Sequence, residues 1–176
     1  MFKKNTTKHI ENNNYFNLLL ANLNRYFSSF ENVRFSSGLK SLNINGKVKF
    51  QQMITLKLES RSWISFGSGE QPNQIEISAI GVPLINQNNG EGSFLMKLML
   101  NFMKETLGFV PICFLECTGN IESSDFLLIN SIQNQTRFFR KFAFRVKNRK
   151  HYPHYVSMEA DFSNIDYSDL FWNKKD

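Results

Sequence analysis

Residues 75–108 read IEISAIGVPLINQNNGEGSFLMKLMLNFMKETLG. Three pieces follow one another there: an apolar strand over 75–82, a polar loop over 86–92 closed by Gly90 and Gly92, and an amphipathic helix beginning near Ser93. The N–H groups of a helix's first turn have no partner within the helix and carry the positive end of its dipole. A strand that runs through a glycine loop into a helix N-terminus is therefore built to hold an anion. Glycine at 90 and 92 permits positive φ and lets a phosphate oxygen reach the backbone without meeting a Cβ. Pyrophosphate is the guest that such a loop fits best.

Downstream, Gly108 stands where a helix C-terminus favours glycine, and PICFLEC over 111–117 reads as a short buried strand. Ser123, Ser124 and Asp125 are caps for a second helix with Leu128, Ile132, Phe139 and Phe142 on one stripe. The basic-aromatic run FFRKFAF over 138–144 follows, then strand-like FRV and YVSMEADF over 155–162. Upstream, Phe16, Leu19, Leu20, Leu23, Phe27 and Phe30 repeat at helical spacing over 15–30, with Asn13 or Asn14 as the cap. Over 32–66 the period changes to two, and the Asn45-Gly46 dipeptide predicts a hairpin turn between short strands. Gly67, Gly69 and Pro72 end this meander before the Ile75 strand, and Gly81 marks a candidate bulge on that strand.

A chain of 176 residues, 41% hydrophobic and with 18 Phe, has the length and apolar content of one packed domain. Its net charge of +6 suits a phosphorylated ligand but reads as spread over a solvated surface. The densest basic cluster is Arg137, Arg140, Lys141, Arg145, Lys147, Arg149 and Lys150, interleaved with Phe138, Phe142 and Phe144. Cys113 and Cys117 share one strand face at a separation too great for a disulfide, so both read as buried free thiols in a reducing cytosol. Two Cys and three scattered His make no metal quartet. The first residues lack an apolar core for a secretory signal, and no run is long enough to span a membrane, so a cytoplasmic location is expected.

The loop Gln87-x-x-Gly90-x-Gly92, with Val82 and Pro83 just upstream, resembles the acyl-CoA-binding signature Q/R-x-x-G-x-G/A of the GNAT superfamily of N-acyltransferases. Residues 139–144 resemble a second family signature, aromatic-x-x-x-Gly-Phe, at the expected separation. The resemblance spans about residues 48–162, and the first third, 1–47, departs from it. It implies one α+β domain over 1–176, with a GNAT-like mixed, mostly antiparallel central sheet flanked by helices. The implied activity is transfer of an acyl group, in the first instance acetyl, from acetyl-CoA or another acyl-CoA to an amine acceptor of unspecified class.

By the same resemblance the segment Gln87, Asn88, Asn89, Gly90, Glu91, Gly92 and Ser93 holds the CoA pyrophosphate. Backbone N–H groups around Gly81 and Val82 face the thioester carbonyl, Glu76 is the general base, and Ser78 orders its water. Phe139 stands where many members carry a Tyr that protonates the departing thiolate, and Phe has no proton to give. Ala143 replaces the usual Gly. These departures keep a second class open, a non-catalytic or nucleic-acid-directed binding module on the same fold, for which the basic cluster is the footprint. The oligomeric state stays open.

Overall fold

The computed structural model describes residues 14–69, 74–118, 125–152 and 154–163. Helix α1, Asn14–Phe27, is followed by strands β1, Val33–Ile44, and β2, Lys47–Leu58. Next come β3, Trp63–Ser68, and β4, Gln74–Gly81, then a 3₁₀ turn at Leu84–Asn86 and helix α2, Glu91–Leu107. The chain closes with β5, Ile112–Thr118, helix α3, Asp125–Arg140, β6, Arg145–Asn148, and β7, Tyr155–Ala160. The expected caps Ser123 and Ser124 lie outside the described residues, as do Asn13 and Pro72.

All seven strands form one sheet in the order β1-β2-β3-β4-β5-β7-β6. Every neighbouring pair is antiparallel except β4 with β5. A parallel pair needs a crossover, and α2 supplies it. Asn45 at φ 52° and Gly46 at φ 76° make the two-residue turn between Ile44 and its partner Lys47, as that dipeptide predicts. The strands it joins are long, 12 residues each, where short ones were expected. Their outer half extends beyond the core, leaving Leu39, Val48 and Phe50 more than 60% exposed, so burial does not enforce the alternation there.

Register carries Ile54, Phe66, Ile77 and Leu115 across four strands onto one face. They join Phe16, Leu19 and Phe27 of α1, Leu95, Met99 and Phe102 of α2, and Ile132 and Phe139 of α3 in one buried cluster. The other face is polar and bonded laterally. Thr55 and Ser65 hydroxyls pair at 2.7 Å, and Gln51 Nε2 donates to Glu76 Oε2 at 3.3 Å.

Both ends of the crossover region are set by local chemistry. Gly108, at φ 81°, donates its N–H to Lys104 O at 2.8 Å and stops α2. At the end of α3, Phe144 N–H reaches Phe139 O and Ala143 N–H reaches Arg140 O, the paired bonds of a Schellman motif. The accompanying apolar contact is Phe139 against Phe144, with ring centroids 5.8 Å apart. Ala143 therefore occupies the left-handed position at φ 65°, where a Cβ is strained and the family pattern has Gly. Ala143→Gly is expected to stabilise the fold by roughly 1 kcal/mol, read as a higher urea midpoint with an unchanged slope.

Cys113 and Cys117 are free and buried on one face of β5. Burial pushes the Cys113 thiol up to about 12 and the Cys117 thiol up to about 11. Both thiols thus ionise more readily in the unfolded chain, so stability falls as pH rises above the ordinary value of 9.0. Iodoacetamide at pH 8 is expected to label them only after denaturation; rapid labelling of the native protein would contradict their placement.

Candidate active site

β4 and β5 pair over four positions, from Gln74 with Ile112 to Ile77 with Leu115, and then part, although β4 continues to Gly81 and β5 to Thr118. The cause is a bulge on β4. Phe66 of β3 pairs with Ile77 and the preceding Ser65 with Ala79, which leaves Ser78 as the extra residue. A bulge bends and twists its strand, and here it carries β4 away from β5. The bulge falls at Ser78 rather than at Gly81, the sequence candidate. Gly81 has a different constraint, since a Cβ there would run into the Trp63 indole.

The parting opens a cleft of about 620 Å³. Ser78, Gly81 and Val82 line one wall, Leu115, Glu116 and Thr118 the other, and Asn134, Gln135, Phe138 and Phe139 of α3 close it. Gln87 and Gly92 stand at its end beside the N-terminus of α2. Beyond Ile77, the β4 edge facing β5 has no ladder partner, so its backbone groups are available to a guest. Gln135 Nε2 donates to Thr118 O at 2.8 Å, tying α3 to the end of the β5 wall.

The loop before α2 is pinned from within and from behind. Asn86 N–H donates to Pro83 O at 2.9 Å, and Asn86 Nδ2 donates to Ser60 O at 3.0 Å. Gln87 Nε2 reaches Val82 O at 3.4 Å. Asn88 at φ 68° and Gly90 at φ 81° turn the chain into the helix. No side chain caps that helix, so its first-turn N–H groups have no side-chain acceptor. The helix begins at Glu91, two residues before the expected start, and Gly92 and Ser93 sit in its first turn. The Glu91 carboxylate accepts a hydrogen bond from the buried Ser62 hydroxyl. At Gly92 a Cβ would sit 3.2 Å from Phe138 Cζ, so this turn lies directly against α3.

Of the residues singled out in the sequence, Ser78, Gly81, Val82, Gln87, Gly92 and Phe139 are brought together on the cleft. Glu91 and Ser93 belong to the adjoining helical turn, and Asn88, Asn89 and Gly90 are exposed in the loop before it. Glu76 precedes the parting point, and its carboxylate is engaged by Gln51 rather than lining the cleft. Sequence reasoning did not place Glu116, Thr118, Asn134, Gln135 or Phe138 on the cleft. The available signal was alternation. Cys113, Leu115 and Cys117 are buried while Glu116 and Thr118 are exposed, which places those two opposite the cysteines.

A mixed, mostly antiparallel sheet flanked by helices, with a glycine loop and helix linking its one parallel pair, is the fold class that the two sequence signatures imply. The fold is GNAT-like. No protein-family model matches the chain, and no curated protein matches it in sequence. Similar solved structures include the ribosomal-protein-S18-alanine N-acetyltransferase of Escherichia coli, at 11% identity over 76% of this chain and 98% of that one, TM-score 0.45. Arabidopsis thaliana Naa50, in complex with the bisubstrate analogue CoA-Ac-MVNAL, is similar at 15% identity over 62% and 72%, TM-score 0.45. Ard1 from Thermoplasma volcanium is similar at 17% identity over 61% and 68%, TM-score 0.43. These likenesses concern the fold alone.

The residues present fit a CoA thioester. The α2 N-terminus is uncapped, Gly90 adds no Cβ, and the cleft leads from that terminus to the free β4 edge. Among the described residues no group of His, Cys, Asp and Glu could hold a metal, and no helix is long and apolar enough to cross a membrane.

Proposed function

We propose that the protein is an acyl-CoA-dependent N-acyltransferase, which passes an acyl group, in the simplest case acetyl, to an amine bound in the same complex. The observation that carries this reading is the bulge at Ser78, which parts β4 from β5 and opens a cleft beside an uncapped helix N-terminus. When bound, the thioester supplies an activated acyl carbon. The first-turn amides at Glu91, Gly92 and Ser93, with the loop Gln87, Asn88, Asn89 and Gly90, hold its pyrophosphate. Amides of the β4 edge at Gly81 and Val82 donate to the thioester carbonyl. Ser78 stands at the bulge, where it can order water. Phe139 lines the cleft and is 8% exposed, so it packs against the donor but delivers no proton.

Thiol release from acetyl-CoA across a panel of amines and basic peptides tests the activity. Phe139→Tyr is expected to keep turnover and to raise it, because it restores an acid at the cleft wall; abolished turnover would contradict the role of Phe139. Failure of every acceptor in the parent protein would remove the enzymatic reading.

One observation favours the second reading. Between residues 126 and 158 there is no Asp or Glu, yet this segment carries seven Lys and Arg; the rest of the chain has 14 of these against 15 Asp and Glu. The net charge is thus concentrated on the end of α3, β6 and the turn into β7, not spread as its overall composition implies. Lys147 alone of the seven has an ion-pair partner among the described residues, Glu159 at 2.7 Å. If this surface follows a nucleic acid, log affinity should fall against log salt with a slope of roughly 0.7–0.9 per neutralised phosphate. Fluorescence anisotropy with a labelled oligonucleotide measures it, and flat or absent binding removes the reading.

A further inference from the structure

The turn between β2 and β3 breaks a local rule. Leu58 N–H donates to Ser62 O at 2.8 Å and Arg61 N–H to Leu58 O at 3.0 Å, which closes a three-residue hairpin loop over Glu59, Ser60 and Arg61. The last residue of such a loop takes the left-handed conformation, and glycine is the residue that does so without strain. Here it is Arg61, at φ 73°. The turn is braced against relaxing, since Asn86 Nδ2 donates to Ser60 O at 3.0 Å and the Ser62 hydroxyl donates to the Glu91 carboxylate. Strain that the surroundings hold in place is characteristic of ligand clamps.

A second unfavourable arrangement lies beside it. Arg34 of β1 and Lys57 of β2 are direct cross-strand partners, and like charges so placed repel. Lys57 alternates with the buried Leu56, so it projects from the sheet face opposite the helices, and Arg34 with it. Arg34, Lys57 and Arg61 line one cavity of about 330 Å³ with Leu58 and Glu59, and it shares no residue with the cleft. All three cations are exposed, and none has an ion-pair partner among the described residues, not even Glu59 on the same rim. Edge-strand charge that deters sheet pairing accounts for Arg34, but Lys57 lies one strand in and Arg61 on a turn. Three cations against one carboxylate leave two positive charges around a space at the small end of the range for ligand sites.

We propose that Arg34, Lys57 and Arg61 form a binding site for a small phosphate-bearing ligand, a site separate from the acyl-CoA cleft and independent of the acyltransferase reading. Phosphate monoesters and free phosphate share the chemistry, a compact group of oxygens with a charge of about −1.5 to −2 at pH 7. Arg34 and Arg61 offer guanidinium forks to those oxygens, and Lys57 adds a point charge. Glu59 on the rim is an acceptor for a hydroxyl on the ligand's body. Three cations that converge on one cavity, rather than following a line, suit a compact ligand and not a polymer backbone. Binding cancels the repulsion between Arg34 and Lys57, so the ligand stabilises the fold.

Amide NMR of the full chain, titrated at constant ionic strength with inorganic phosphate, glycerol 3-phosphate or acetate, tests this. Saturable shifts are expected at Arg34, Lys57, Glu59 and Arg61 with either phosphate and not with acetate. Tighter binding of glycerol 3-phosphate identifies a monoester as the ligand, and equal affinity identifies free phosphate. No saturable change at these residues, equal saturation by acetate, or shifts confined to 90–94 at the start of α2 overturns the proposal and leaves the cluster as surface charge. Lys57→Gln and Arg61→Gly should each weaken phosphate binding by roughly tenfold or more. Each should also raise the urea midpoint of the phosphate-free protein, because one removes the like-charge pair and the other the left-handed strain, while losing the rise that phosphate gives the parent. Lys57→Arg should keep that rise. Glutamine and glycine variants that retain the parent's phosphate response, or that gain no stability in its absence, contradict the site.

Discussion

Phe102→Ala is expected to lower the unfolding free energy by about 3–5 kcal/mol, the range for deleting a fully buried aromatic side chain. Phe102 has no exposed surface and is the joint between α1 and α2, with ring centroids 5.0 Å from Tyr26 and 5.0 Å from Phe27. Phe27 in turn meets Phe35 of β1 at 6.1 Å, so one ring ties the N-terminal helix, the crossover helix and the long hairpin together. The cavity left by alanine cannot collapse without moving both helices. Urea unfolding should show a lower midpoint with an unchanged slope, while acetyl-CoA affinity, measured where the protein is still folded, should stay within a few-fold. A loss below about 1 kcal/mol would mean that α1 is not part of the cooperative core.

Gly92→Val should weaken acetyl-CoA binding at least tenfold, about 1.4 kcal/mol. The position lies in the first turn of α2, and even a single Cβ would stand 3.2 Å from Phe138 Cζ and 3.8 Å from Val82 Cγ2. A branched side chain must push the Phe138 ring into the cleft or project where the pyrophosphate would sit. Gly92→Ala needs a ring shift of only a few tenths of an ångström and should cost much less. Valine is a poorer helix former than alanine by tenths of a kcal/mol, so the fold should survive both changes. Equal affinities in the parent and Gly92→Val would detach this turn from the donor site.

Much of this was legible along the chain wherever a local rule applies. Asn45-Gly46 is a hairpin turn because both residues accept positive φ, and Gly108 stops a helix for the same reason. The 139–144 signature was visible, and the structure adds its cause, a Schellman turn whose left-handed residue is Ala143. The bulge was not legible in this way. Its existence depends on which residue of β3 faces which residue of β4, so no pattern within 74–81 distinguishes Ser78 from Gly81 as the extra residue.

The cleft position of Glu116 has the same origin. Within β5 its alternation is plain, but its opening onto a cleft depends on β4 having bent away beyond Ile77. Glu76 shows the reverse case. It has a favourable position in the sequence, yet it sits where the two strands are still paired and where Gln51 reaches across from β2. The length of β1 and β2 was hidden because half of that hairpin is exposed on both faces and follows no burial pattern.

The central claim is that an acyl-CoA occupies the space between the parted strands. The most direct measurement is amide NMR of the unaltered protein during titration with acetyl-CoA. Saturable shifts are expected at residues 78–82 of the β4 edge, at 90–94 around the start of α2 and at Phe138 and Phe139, with little change in the β1–β2 hairpin. No saturable change up to millimolar ligand, or shifts confined to the basic segment 137–150, would contradict it.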